Sequence, residues 1–425
     1  MIRIMKYGEV PTGELLSRPV PAVDVAAVVA EIIRTVRADG DRALLAYTKK
    51  FEGADLTALE VTPEETEAAL RTVDPAFLGV LERAAANIRA FHEKQVRTGF
   101  RMESEGRLLG QRVLPIERVG LCVPGGGTPL SSTVLMDAIP AKIAGCALLC
   151  MVTPPRADGT VDPSLLAAAR IAGVDRIFKL GGAQAVAALA WGTESVPRVD
   201  KIVGPGGAFV AEAKRQVFGR VAIDMVAGPS EVLVVSDGKS DPRFVAADLL
   251  SKAEHDKLAA AILVTDSPAL AAAVQREIEA QLPLLAREEI ARVSIDNNGK
   301  IIVTDDLRTA LDVANEIAPE HLELCVDDPE RWLGAVRNAG SVFLGRSTPE
   351  ALGDYYAGAN HTLPTSGAAR FSSPLSVDDF VKKTQFIGYS ADALAAASAD
   401  IARFAETEGL TGHARSVTIR GEGRR

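Results

Sequence analysis

Four of the five histidines in this chain stand beside carboxylates in polar, loop-like segments: Glu254 with His255, Glu320 with His321, Asp354 with His361, and Glu408 with His413. Histidine changes charge near neutral pH and is the commonest metal ligand, and a carboxylate is its usual partner in both roles. The pattern points to a metal or proton-transfer site. In APEHLEL, Pro319 fixes the backbone before the adjacent Glu320 and His321, a pair suited to two proton-transfer steps in one cleft. In SKAEHD, Lys252 and His255 are three apart and share a helix face. GDYYAGANH adds Asp354 and Tyr355, and TEGLTGH places Glu408 and His413 near the C-terminus. No spacing matches HExxH, so a metal site would have to be assembled by the fold. The fifth histidine, His92, lies in an amphipathic helical stretch and reads as surface or packing.

The elements that must position these residues alternate. Residues from about 22 to 95 read as helices, with VDVAAVVAEIIRTVRADG stopping at Gly40, and FRMESEGRLLGQRVLPIERVG reads as short strands around Gly106. From about 119 apolar strands alternate with helices: VGLCV, ALLCMVTPP, RIFKLGG and KIVGPGG, then a second series from EVLVVSD through AAILVTDS, IIVTD, LELCV and SVFLG. A long helix is expected from about 267. Such alternation implies parallel sheets covered on both faces, here in two α/β domains. The expected division is an N-terminal helical segment (1–115), two α/β domains (116–229 and 230–370) and a C-terminal helical tail (371–425). PGGGT, LGGAQA and VGPGGAF are glycine turns at the carboxyl ends of successive strands, where open α/β sheets bind ligands. Ser230 in AGPSEVLVVSD precedes a strand, and no GxSxG elbow surrounds it. The segment 345–376 is rich in small residues and reads as a long functional loop.

With 425 residues and a net charge of −9, the chain lacks the basic face a nucleic-acid binder needs. It shows neither a signal-peptide core nor a run of roughly 20 uncharged apolar residues for a membrane span. Cys122, Cys146, Cys150 and Cys325 lie in apolar runs without CxxC spacing and read as buried small hydrophobes. A cytoplasmic protein without nucleic-acid or membrane partners is expected.

VGLCVPGG, STVLM, PAKIAGC, GGAQAVAALAWGT, VDKIVGPG, AFVAEAK, AIDMVAGPSEVLV, AEHD, NEIAPEHLEL, AGSVFLG, GDYYAGANHTLPT and EGLTGHA occur in that order. Together they resemble the histidinol dehydrogenase family over nearly the whole chain. The resemblance implies two Rossmann-like domains in a zinc-containing, NAD-dependent homodimer that oxidises L-histidinol through the aldehyde to L-histidine. It implies Glu320 and His321 as the acid–base pair. His255, Asp354 and His413 would bind zinc, and Ser230, Lys252, His255, His321, Asp354, Glu408 and His413 would line the substrate site. The tail would reach into the partner's active site. Cys122, Gln184 and Gly207 fall at NAD-contacting positions, although the family has tyrosine and asparagine where this chain has Cys122 and Gly207.

A third departure is Lys252, where the family carries a zinc-ligating glutamine. An ammonium about 4 Å from a divalent ion is repelled by roughly 8 kcal/mol at an effective dielectric of about 20. Deprotonating a lysine at pH 7 costs about 4.6 kcal/mol. Three outcomes follow: a neutral lysine that ligates zinc, a charged one swung away, or weak zinc binding with Lys252 supplying part of the charge. The departures also leave open a family paralogue acting on another amino- or sulfo-alcohol. The histidine–carboxylate set alone would suit a metal-dependent hydrolase, and a non-catalytic binding protein is a further alternative.

Overall fold

The computed structural model describes residues 1–18, 24–126 and 128–422. Val23 at the start of the first expected helix, Gly127 of PGGGT and the last three tail residues lie outside the described residues. The strands are β1 Arg3–Lys6, β2 Phe100–Ser104, β3 Arg107–Pro115, β4 Arg118–Cys122, β5 Leu148–Thr153, β6 Arg176–Lys179 and β7 Lys201–Val203. They continue as β8 Ala222–Ile223, β9 Glu231–Ser236, β10 Ala260–Thr265, β11 Lys300–Val303, β12 His321–Cys325, β13 Ser341–Leu344 and β14 Val381–Tyr389.

Two compact units result. The first comprises Met1–Gln95 and Ile116–Phe380, and the second Val96–Pro115 and Val381–Arg425. The first unit holds two all-parallel sheets, one in the order β6-β5-β4-β7-β8 and one in the order β1-β11-β10-β9-β12-β13. Every residue of β9 and β10 is buried, which explains why EVLVVS and AAILVT are continuous apolar runs rather than alternating ones. Helices cover both faces, giving each sheet two separate apolar clusters.

The alternation read from the sequence is present, with local differences. β1 does not stand apart with the N-terminal helices. It pairs with β11 at the edge of the six-stranded sheet, Arg3 opposite Lys300. β2 and β3 form a hairpin through Glu105 and Gly106, both at positive φ, and β3 pairs antiparallel with β14 of the expected tail. Sequence adjacency carries no trace of pairings that join opposite ends of the chain. The first long helix does not stop at Gly40; it kinks there and runs on, as Ala26–Glu52. Gly40 takes a non-helical φ of 53°, and the next amide, Asp41 N–H, donates to Glu194 Oε2 at 2.8 Å. The long helix after β10 ends at Gln281, before a short turn containing Pro283, and a second helix follows over Glu288–Asn298.

A buried ion pair fixes the turn after β7. Lys214 pairs with Asp224, both almost wholly buried. Lys214 Nζ donates to the Gly204 carbonyl at 2.9 Å, while Asp224 Oδ2 accepts the Gly204 N–H at 2.8 Å. Gly204 has φ +107°, and a Cβ there would run into the Cys122 carbonyl, so only glycine fits. The four cysteines are unpaired and buried. Among the described residues no helix is long and apolar enough to cross a membrane.

Replacing Lys214 by Ala leaves the Asp224 carboxylate buried without its cation. The expected cost is about 3–5 kcal/mol, visible as a lower urea midpoint; an unchanged midpoint would contradict the role given to this pair.

Candidate active site

Two adjoining cavities lie in the first unit. One, of about 160 Å³, opens at the carboxyl ends of β4, β5, β6 and β7 and is lined by Cys122, Val123, Pro154, Gly181, Gly182, Pro205, Gly206 and Gly207 among others. The other, of about 200 Å³, is lined by Ser230, Lys252, His255, Glu320, His321, Asp354 and His361, with Thr133, Pro205, Gly206 and Asp224. Pro205 and Gly206 belong to both walls. The glycine turns read from the sequence thus gather at one end of the five-stranded sheet. Six of the expected substrate and acid–base residues meet in the neighbouring cavity.

The Glu320–His321 pair is built at the amino ends of two adjacent strands. Helix Leu307–Ile317 ends because Pro319 cannot continue it, and Ala318 turns the chain in a left-handed conformation at φ +51°. Glu320 then faces the start of β9. Its Oε2 accepts from Ser230 Oγ and from the Glu231 N–H, both at 2.7 Å. The Ser230 loop is held in turn by Gly228 N–H, which donates to Thr365 Oγ1 at 2.6 Å. His321 opens β12, opposite Val232 of β9 and Ser341 of β13. Its Nδ1–H donates to the Glu231 carbonyl at 3.0 Å, and its Nε2–H donates to Asp354 Oδ1 at 3.3 Å. Glu350 Oε1 lies 3.7 Å from the same Nε2.

Both ring nitrogens therefore face acceptors. Burial and the Lys252 charge oppose protonation of His321, but the Glu320 charge and the hydrogen bonds to Asp354 and Glu320 prevail and push its pKa up to about 10. Burial alone would raise Glu320, yet His321 and Lys252 hold it below the usual carboxylate range. Asp354 is likewise held low against its burial, by Lys252 and by hydrogen bonds from His321 and Glu350. Glu350 goes the other way, to about 7, through burial and the neighbouring Asp354 charge.

Asp354 and Glu350 come from a segment expected to be a loop. The stretch after Pro349 forms a short helix, Glu350–Tyr355, so the two carboxylates sit one turn apart on one face. Glu350 Oε2 accepts from Ser251 Oγ at 3.1 Å, and its N–H donates to Glu323 Oε1 at 2.8 Å. Sequence reasoning missed Glu350. The signal was available in the i, i+4 spacing to Asp354, but a glycine-rich neighbourhood hid the helix.

His255 follows the helix Pro242–Ala253, whose start is capped by Asp241 and Pro242. Its ring is open to solvent at the cavity rim. Desolvation by the surrounding protein and the Lys252 ammonium lower its pKa, against the Asp354 and Glu320 charges. His361 Nδ1–H donates to the Asp354 carbonyl at 2.8 Å, and its Nε2 accepts from Thr133 Oγ1 at 3.3 Å, so it braces Asp354 as a neutral ring. His92 is fully buried and bonded to Gln95 and Asn360. Gln184 is buried and donates to Glu52 Oε1 at 3.4 Å, under the Gly182 turn. Glu408 and His413 belong to the second unit, at the end of helix Ala391–Thr407 and within helix Thr411–Thr418.

His321, Glu350 and Asp354 present ligand atoms within 4.8 Å of one another, a set able to hold a metal ion. With Lys252 folded as it is, zinc does not fit there. The lysine Nζ lies 2.5 Å from Glu350 Oε1 and 3.6 Å from Asp354 Oδ2, with 1% of the side chain exposed. Burial would lower its pKa, but Asp354, Glu350 and Glu320 together raise it above the ordinary value. It is neither a neutral ligand nor swung away. An ammonium has no lone pair for a metal, and its charge repels a divalent ion nearby.

Two parallel sheets, a glycine-lined cavity and a neighbouring cavity with a buried Glu–His pair give the chain the build of an α/β enzyme. A histidinol dehydrogenase family profile matches residues 17–421. Curated histidinol dehydrogenases from Syntrophotalea carbinolica and Bacillus cereus are 54% identical over 99% of both chains, and 53% identical over 93% of this chain and 92% of the relative. The crystal structure of histidinol dehydrogenase from Elizabethkingia anophelis superposes with a TM-score of 0.94 at 38% identity, covering 99% of this chain and 98% of that one. The chain belongs to the histidinol dehydrogenase family, the oxidoreductases of the last step of histidine biosynthesis.

The raised His321 pKa sets a pH dependence. The group's contribution to stability is fully present below its unfolded value near 6.5 and is lost as pH rises through about 10. Glu320 and Asp354, held low, contribute above about 4.5 and lose that contribution in acid. Unfolding midpoints should therefore decline from about pH 7 to 10, and His321→Asn should flatten that decline. An equal alkaline decline in both proteins would rule the assignment out.

Proposed function

We propose that Glu320 and His321 carry the proton transfers of two successive NAD-dependent oxidations, from L-histidinol through the aldehyde to L-histidine. The observation that carries this reading is the wall of Pro205 and Gly206 shared by the glycine-lined cavity and the Glu320–His321 cavity. Such a wall would let a cofactor in one cavity face a proton-transfer pair in the other. Cys122, Gly181, Gly182 and Gly207, with Gln184 supporting the turn from beneath, would hold NAD, which would supply the hydride acceptor. A Cβ on Gly207 would meet nothing within 4 Å, so the cavity is open at that point.

His321 acts through Nε2, because Nδ1 is committed to the Glu231 carbonyl. At rest Asp354 and Glu320 keep the ring protonated. The substrate is an amino alcohol with an ammonium group, and Asp354 is the carboxylate placed to attract it. Drawing Asp354 toward the substrate weakens the interaction that raises His321; the ring then releases its Nε2 proton to solvent through the open cavity, and the neutral Nε2 can take the alcohol proton. Glu320 stays ionised and pinned through Oε2. Its second oxygen serves as the base for the water that adds to the aldehyde before the second oxidation. Ser230, His255 and Asp354 orient the substrate. The homodimer, and a tail carrying Glu408 and His413 to a partner's site, form part of the same proposal and rest on the family resemblance. No step is assigned to zinc.

Glu320→Gln should leave the first oxidation in place and slow the second by about 10²–10⁴-fold. NADH formed per histidinol consumed then falls from two toward one, with aldehyde accumulating. Two NADH per histidinol at the wild-type rate would refute the role of Glu320. For His321, kcat/KM reports the free enzyme and kcat the complex. The expected result is that kcat/KM still climbs above about pH 8, while kcat levels off at lower pH. Coincident profiles would remove the substrate-linked deprotonation.

A further inference from the structure

We propose that Lys252 supplies the cation of this site from within the chain, holding Glu350 and Asp354 against His321, and that the enzyme works without a divalent metal. The proposal rests on the oxidation reading above but concerns the cation, not the reaction.

Three groups that could bind a metal converge within 4.8 Å: His321, Glu350 and Asp354. The space that a shared ion would need beside the two carboxylates is taken by Lys252 Nζ, 2.5 Å from Glu350 Oε1 and 3.6 Å from Asp354 Oδ2. Glu350 Oε1 is buried without an aligned hydrogen bond, so this is a charge contact of the kind a cation makes. The lysine comes from the last turn of helix Pro242–Ala253, where a positive charge is favoured by the helix dipole. It ranks among the largest fully buried side chains, so it cannot retreat to solvent to admit another ion.

The arrangement divides Asp354 between two partners. Oδ1 accepts from His321 Nε2 and Oδ2 faces Lys252. Lys252 is thus a positioning residue. It fixes the rotation of the Asp354 carboxylate and so the hydrogen bond on the reactive ring nitrogen. It offers one charge and donors but no Lewis acidity, so orientation of the substrate falls to side chains such as Ser230, His255 and Asp354.

The test uses full-length protein produced in zinc-supplemented medium. Metal analysis of the wild type should find well under about one zinc per ten chains, and dialysis against a chelator should leave the NADH rate with L-histidinol within about twofold. Calorimetric zinc titration should give Lys252→Gln an affinity at least about tenfold tighter than wild type. The variant's metal-free rate should fall by about tenfold or more and recover on adding zinc, which a merely structural lysine would not produce. About one zinc per wild-type chain, a rate lost on chelation and restored by zinc, or equal zinc affinities of the two proteins would each overturn the proposal. If Lys252→Gln does not fold, wild-type metal content and chelator response decide alone. If wild type never oxidises L-histidinol, the oxidation reading fails, while metal content still decides this inference.

Discussion

Carboxylates crowded around His321 are mostly buried, so much of their charge must be balanced by groups inside the protein. Glu320, Glu350 and Asp354 converge there, and Lys252 and the His321 ring protons face them. Removing either cation would leave acid charge stranded in a low-dielectric interior. That constraint explains the hydrogen bonding at the site. Two of the three carboxylates are anchored at one oxygen by a neutral donor, Ser230 for Glu320 and Ser251 for Glu350. The opposite oxygen of Glu350 meets Lys252. Asp354 is held between the two cations.

The sheets set the geography. In the five-stranded sheet the usual rule for open parallel sheets holds, and the glycine-lined cavity sits at the strands' carboxyl ends. In the six-stranded sheet Glu320 and His321 lie at the opposite, amino ends of β9 and β12, where Ser230 precedes one strand and His321 begins the other. The ion pair Lys214–Asp224 steadies the join, because it clamps Gly204 just ahead of the shared wall of Pro205 and Gly206.

Much of this was legible in the sequence because parallel α/β units write themselves as unbroken apolar runs between helices. Glu320, His321, Ser230, His255 and Asp354 were legible because their motifs are local and distinctive. Other features were not. The edge pairing of β1 with β11 and the hairpin's union with β14 depend on contacts between distant segments. Glu350 was lost in a stretch rich in small residues, where helix signals are weak. The fate of Lys252 could not be read either. Spacing placed it beside His255, but only the fold brings Glu350 to it, and that carboxylate decides between a ligand, a free charge and an internal cation.

The left-handed Ala318 has a consequence for how this chain can vary. Its φ of +51° costs about 1 kcal/mol relative to glycine, which takes that conformation freely. The strain lies two residues from Glu320 and three from His321, ahead of a proline that permits little adjustment. Glycine there would relieve the strain, but it would loosen the one peptide direction that aims both side chains. Thermal robustness and catalytic precision therefore favour different residues at this position, and alanine marks a compromise weighted toward aim.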